Sequence, residues 1–320
     1  MSTRLNRRAF VKAAVLTSAA VPLGAAAQQS TPVPVESRFS SPLPKPVESM
    51  PMGRIGSVEF SRLILGGNLI SGYAHSRDLP YVAALSKRYN TEAKVLETFE
   101  LAETHGINAM NSFVMDGNKE LQLHWKRGGK MKWFAQVRID SQGGFSQVKK
   151  AIDLGATAIH LTGDNADMLY KQGDIDKIGK MVDLIKSQKV IAGVAGHGLD
   201  AMRACVKANI NVDFYQKTLH THDYHTAPKP GETGDLGRYD NSWCKDPEEV
   251  VDFFFGVKKP LIAFKVMAAG AIPPRKAFQY AFDNGADFVL AGMFDWQVVE
   301  DVKIAKEVLA NVKRTRPWCG

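Results

Sequence analysis

Two rhythms of apolar residues alternate along this chain. Short unbroken apolar runs stand at Leu63–Gly66, Asn108–Phe113, Trp133–Ile139, Ala158–Thr162, Val190–Ala195, Val212–Gln216, Leu261–Met267 and Phe288–Ala291. Between them the apolar positions recur every three to four residues, as at Val95, Phe99 and Ala102, or Ile175, Ile178, Val182 and Ile185. The first rhythm suits strands buried on both faces and the second suits helices with one buried stripe. Eight runs alternating with helices predict an α/β fold, a single (β/α)8 TIM barrel with a closed parallel sheet. The alternative is an open doubly wound sheet, which the absence of a Gly-rich fingerprint before the first helix disfavours. Two connections are long, residues 68–91 and 220–246. Both follow strands, so both would lie on the C-terminal face where barrel active sites sit.

The opening of the barrel has a family likeness. Met52-Gly-Arg-Ile-Gly-Ser-Val-Glu-Phe-Ser-Arg-Leu-Ile-Leu-Gly-Gly67, followed by Gly106-Ile-Asn-Ala-Met-Asn111-Ser-Phe-Val-Met-Asp116-Gly-Asn118, resembles the start of an aldo/keto reductase. The resemblance implies a short hairpin, a first barrel strand ending in glycine, and a catalytic Asp and Tyr after the second strand. Laid on this chain without a gap, the Asp position holds Asn111 and the Tyr position holds Asp116. The family's strand-three lysine is also missing from Phe134-Ala-Gln-Val-Arg138. NADPH is therefore not the expected cofactor, and loss of the general acid predicts no reductase activity.

Residues 1–51 are expected to lie outside the barrel. Arg7-Arg8-Ala9-Phe10-Val11-Lys12, then an apolar run to Ala27, fits a twin-arginine signal peptide over 1–27, with Ala25-Ala26-Ala27 as cleavage site. The run is too short for a stable membrane anchor. Residues 28–51 carry six prolines and read as an exposed tether. About 270 residues, 52–320, remain for the catalytic domain. The expected partners are the export machinery and a small molecule, and the expected location is periplasmic. The net charge of +8 falls to about +4 once Arg4, Arg7, Arg8 and Lys12 leave with the signal, so it does not argue for nucleic acid. Cys205, Cys244 and Cys319 are too few and too irregularly spaced for a disulfide framework or a zinc ribbon.

The chemistry-bearing residues gather near predicted strand ends. His160 lies in the fourth run, His197 follows the fifth, His220 and His222 follow the sixth, and Asp295 follows the eighth. Imidazoles on adjacent strand ends suit a divalent, zinc-like metal, and His-x-His on an extended segment puts both rings on one side. His160 reads equally as a hydrogen-bonded interior residue. His75, His105 and His124 read as surface or loop groups. Lys217 lies at the end of the sixth run and Lys265 within the seventh, and a lysine so placed implies either an interior ion pair or a functional amine. Asp213-Phe-Tyr-Gln-Lys217 and the stretch from Lys265 to Gly292 loosely resemble class I aldolases of the deoxyribose-phosphate type, which implies a Schiff base. Tyr224, Tyr239, Trp243, Phe294 and Trp296 would form an aromatic wall, and Gly270 and Gly292 would serve tight turns. The leading expectation is a metal-assisted lyase, isomerase or hydrolase acting on a small polar, carbohydrate-derived substrate. A reductase, a Schiff-base aldolase and a non-catalytic exported binding protein stand as alternatives.

Overall fold

The computed structural model describes residues 43, 45–73, 75, 79, 81–114, 118–229, 239–314 and 316–320. The expected signal peptide, most of the expected tether, and Asp116 lie outside these residues.

A hairpin of β1 (Met52–Ile55) and β2 (Val58–Ser61) precedes eight parallel strands that close into a barrel. They are β3 (Leu63–Gly66), β4 (Ala109–Phe113), β5 (Lys132–Val137), β6 (Ala158–Leu161), β7 (Ile191–Gly196), β8 (Phe214–Thr218), β9 (Leu261–Phe264) and β10 (Phe288–Gly292). Each pairs with its sequence neighbour, and β10 closes onto β3 with Val289 opposite Leu63 and Gly292 opposite Gly66. The hairpin and the closed barrel match the sequence expectation. Among the described residues no helix is long and apolar enough to cross a membrane.

Local chemistry sets the helices around this sheet. The helix α1 (Tyr81–Tyr89) lies within the long connection after β3, and α2 (Glu92–Thr104) follows it. Thr91 caps α2 by accepting from the Lys94 amide. Further round come α3 (Lys119–Lys126), α4 (Ser146–Asp153), α5 (Gly163–Lys171), α6 (Ile175–Ser187) and α7 (Asp200–Lys207). The second long connection ends where Asp246 caps α8 (Pro247–Gly256), with Pro247 pre-set for the first helical turn. Helices α9 (Pro274–Asp283) and α10 (Asp295–Ala310) complete the ring.

Strand residues alternate between two buried environments. Outward residues such as Trp133, Ile159, Val194, Tyr215 and Val289 join the helices in one large core. Inward residues Ile64, Ala109, Phe134, Ala158, Phe214, Ile262 and Phe288 fill the lower barrel, and the hairpin's Ile55 and Phe60 plug it from below. Gly193 makes room there: a Cβ on it would stand 2.3 Å from the Phe214 ring.

The tether expectation needs correction at its end. Val47 donates to the Thr104 carbonyl at 2.9 Å, Glu48 pairs with His105 and Lys306, and Met50 is buried in the outer core. This end of the segment is thus fastened to the barrel through the Val47 amide, Glu48 and the buried Met50, although the Val47, Ser49 and Pro51 side chains remain exposed. His124 also departs from the surface reading, since it is fully buried beside Phe99.

Candidate active site

Above the apolar filling, the next inward residues of four strands are polar. Asn111 on β4, Gln136 on β5, His160 on β6 and Gln216 on β8 lie at this level, and Asn111, His160 and Gln216 are almost fully buried. The Asn111 amide donates both hydrogens, to His160 Nε2 at 2.9 Å and to Gln216 Oε1 at 2.8 Å. His160 Nδ1 donates to the Leu161 carbonyl at 3.1 Å. Burial pulls the His160 pKa down to about 4, so the ring is neutral at ordinary pH and Nε2 is free to accept.

Asn111, Gln136 and Gln216 of this layer floor a cavity of about 440 Å³ at the C-terminal mouth of the barrel, with His160 behind Asn111. Its rim combines Gly66 at the end of β3 and the following Gly67 and Leu69 with the turn after β9, and with Gly292 at the end of β10 and the following Phe294. Trp243, from the second long connection, forms an aromatic wall. Of the other aromatics expected in that wall, Phe294 lines the cavity. Trp296 is two-thirds exposed and stacks on Phe294, while Tyr224 packs against His220 and donates to the Asn241 carbonyl. Gly270 has the left-handed φ of +79° that a tight turn there requires.

Lys265 is the charged group of this cavity. The sequence run 261–267 predicts a longer strand, but β9 ends at Phe264 because Lys265 takes a left-handed φ of +56°. Ile262 and Phe264 point inward, so a continuing strand would send residue 265 outward into the helix layer. The left-handed turn instead brings the lysine to the cavity. Its Nζ lies 3.9 Å from the centre of the Trp243 ring and donates to His75 Nε2. His75 Nδ1 in turn donates to Asp240 Oδ2 at 2.9 Å, and the His75 ring packs on Trp243 at 4.5 Å. Burial, eased only in part by Asp240 and Asp164, lowers the Lys265 pKa to about 8. His75 is lowered by burial and by the Lys265 charge, which together outweigh Asp240. Asp240, His75 and Lys265 form one hydrogen-bonded line built from both long connections. His75 and Asp240 carry no periodic or motif signal in the sequence. The length of the two connections is the one feature that points to them.

The other expected site residues go elsewhere. Lys217, in β8 and opposite Ala263, points outward. Its Nζ donates to the His197 carbonyl at 2.6 Å, the Thr218 carbonyl at 3.0 Å and Thr218 Oγ1 at 2.6 Å. Burial lowers its pKa, but it does not line the cavity. Asp295 opens α10 and faces the helix layer, accepting from the Tyr89 hydroxyl at 2.6 Å and Lys94 Nζ at 2.7 Å. Burial raises its pKa, yet these two donors hold it below the usual carboxylate value.

The expected metal set is not assembled. His220 Nδ1 donates to the Thr221 carbonyl, while its Nε2 accepts from the amides of Trp243 and Cys244 at 3.0 and 3.1 Å. Burial takes the His220 pKa down to about 4. His222 Nε2 donates to the Cys244 carbonyl at 2.7 Å. The two rings do share a side, 5.9 Å apart, but they fasten the Trp243–Cys244 backbone. His197 sits beside Asp167 at 3.5 Å, and His160 stands behind Asn111. Among the described residues no three His, Cys, Asp or Glu side chains stand together as a metal would require. All three cysteines are free.

Comparison with known proteins adds the fold. No family model matches the chain, and no curated protein sequence matches it. Among solved structures it is similar to "Putative aldo-keto reductase from Pseudomona aeruginosa", with a TM-score of 0.55 and 15% identity over 86% of this chain and 99% of that one. An N-acetylneuraminic acid synthetase from Leptospira borgpetersenii serovar Hardjo-bovis matches with a TM-score of 0.46 and 10% identity, over 85% of this chain and 94% of that one. A 3-keto-L-gulonate-6-phosphate decarboxylase from Vibrio cholerae matches at 0.43 and 11%, over 66% and 88%. The first of these, at 15% identity, shows the barrel alone and nothing of the chemistry.

Proposed function

We propose that this protein is an enzyme that forms an imine between Lys265 and the carbonyl carbon of a small polar substrate. One observation carries the reading: a half-buried amine, lowered to about 8, stands in the mouth of a closed barrel between an aromatic face and an imidazole. A useful fraction of such an amine is neutral at ordinary pH, and the neutral amine is the nucleophile. Its lone pair attacks the carbonyl carbon, and the carbonyl π pair moves onto oxygen. His75 Nε2 is placed to take a proton from the attacking nitrogen and give it to that oxygen, making a carbinolamine. A second proton carried the same way from nitrogen to the hydroxyl lets it leave as water while the nitrogen lone pair forms the C=N bond. Asp240, by accepting from Nδ1, keeps the Nε2 lone pair turned toward the lysine. Once protonated, the imine withdraws electrons from the neighbouring carbon, which suits lyase or isomerase chemistry.

The twin-arginine pattern at Arg7-Arg8 supports a place for this enzyme outside the cytoplasm. Cell fractionation of the protein with both arginines changed to lysine tests that part. Borohydride trapping tests the imine. A panel of small aldehydes and ketones, at low concentration and neutral pH, should leave a single reduced adduct by intact mass, mapping to Lys265. Absence of any adduct, or equal labelling of Lys265→Met, overturns the reading.

A further inference from the structure

The floor of the cavity holds an acceptor with nothing to accept. Asn111 is about 1% exposed, yet its Oδ1 has no hydrogen-bond partner among the described residues. The amide cannot turn to satisfy it. His160 Nδ1 carries its hydrogen toward the Leu161 carbonyl, so Nε2 presents a lone pair. Gln216 presents Oε1. A flipped Asn111 would set its oxygen against both acceptors and lose two hydrogen bonds. The backbone is fixed as well, because the Asn111 carbonyl accepts from the Gly67 amide at 2.7 Å. His160 and Gln216 therefore lock one orientation, with Oδ1 as the remaining acceptor of a residue that lines the cavity. A buried acceptor left bare costs about 1–3 kcal/mol, so one kept on a residue that borders a cavity calls for an explanation, and a donor brought in by a ligand is one that would offset the cost.

We infer that Asn111 Oδ1 is a subsite for a substrate hydroxyl, and that the substrate of Lys265 is a polyhydroxylated carbonyl compound of the sugar class. The inference rests on the imine reading for the carbonyl end. Its new content is the far end, where a hydroxyl hydrogen is donated to Asn111 on the barrel floor. Gln136 and Gln216 border the same space with amides that can both donate and accept, which suits vicinal hydroxyls. Trp243 and Phe264 supply the apolar flank that a sugar's C–H faces need. His160 acts here as a positioning residue, since it holds the Asn111 amide and does not itself line the cavity.

Matched aldehydes provide the test. Glyceraldehyde and erythrose are compared with propanal and butanal by the concentration that half-saturates borohydride trapping. The wild-type protein should favour the hydroxylated member roughly tenfold, the size of one good hydrogen bond, and Asn111→Leu should bring the ratio toward one. Asn111→Ala is the second variant should the leucine disturb folding, with thermal melting as the check. Binding of the unreactive polyols erythritol and xylitol, measured by calorimetry on Lys265→Met protein, separates the two ideas. Polyol binding that Asn111→Ala removes supports the subsite even if no imine is ever trapped. Equal half-saturation by hydroxylated and plain aldehydes, or a preference that survives in both Asn111 variants, overturns the subsite while leaving Lys265 its amine chemistry.

Discussion

Lys217, fully buried in β8, and Lys265, half-buried just past the end of the neighbouring β9, have surroundings that teach opposite lessons. Both would face the helix layer by strand alternation, and burial lowers the pKa of both. Lys217 stays in that layer, where three oxygen acceptors take its hydrogens. Lys265 is swung into the cavity by a left-handed residue and meets a π face and an imidazole nitrogen. A lysine surrounded by carbonyl and hydroxyl oxygens serves as a fastener, because every hydrogen has a fixed destination. A lysine beside a neutral base can lose a proton and act. Depressed pKa alone does not distinguish the two, whereas the identity of the partners does.

The sharpest test of the contrast is chemical. Lys265→Met should abolish the trapped adduct and lower turnover by at least about 10³-fold, whereas Lys217→Met should still form the adduct, as intact mass will show. Loss of the adduct in Lys217→Met with full trapping in Lys265→Met would reverse the assignment. The next effect concerns the relay. His75→Gln should slow adduct formation by roughly 10²-fold, the usual size for a lost proton acceptor. Its pH midpoint should stay near 8, because burial rather than His75 sets that value. Rapid-quench trapping between pH 6 and 10 reads both quantities.

Stability should separate the lysines by sign. The folded pKa of Lys265 lies below its unfolded value of 10.5, so between about pH 8 and 10.5 the unfolded chain binds more protons and wild-type stability rises with pH. Below pH 8 the buried charge is a burden, and Lys265→Met should stabilise the fold by about 1–3 kcal/mol at pH 7. Lys217→Met leaves buried carbonyls bare and should destabilise it by about 1–3 kcal/mol. Urea unfolding at pH 7 and pH 10 checks both. A smaller effect is expected from His220→Ala, which unfastens Trp243 from below. It should leave the adduct on Lys265 but raise half-saturating substrate severalfold, as Trp243 loses its fixed place against the amine.

The barrel was legible in the sequence because parallel strands buried on both faces leave continuous apolar runs. The run at Ala158–Thr162 corresponds to β6 within one residue, and that at Leu63–Gly66 corresponds to β3. The run 212–216 is two residues early, since Val212 and Asp213 precede the pairing and Lys217 and Thr218 extend it. That shift put Lys217 at a strand end when it lies within the strand. The site was less legible. His220-x-His222 does put two rings on one side, as extended spacing requires. Nothing local announces that a backbone more than twenty residues away will occupy their nitrogens. His75 and Asp240 meet only because two long connections converge over β9, which is a property of topology rather than of spacing.

The seam between β10 and β3 has a consequence for the timing of folding. Gly66 and Gly292 face each other across it and both border the cavity, so the site joins the first and last strands of the ring. Contacts so distant in sequence carry the largest loop-closure cost and are slow to form. A nascent or partly closed chain therefore has no enclosed mouth, and its Lys265 is an ordinary ammonium. On the imine reading, the reactive amine would be assembled by the last step of ring closure, and an unfinished molecule would carry only an ordinary lysine at this position.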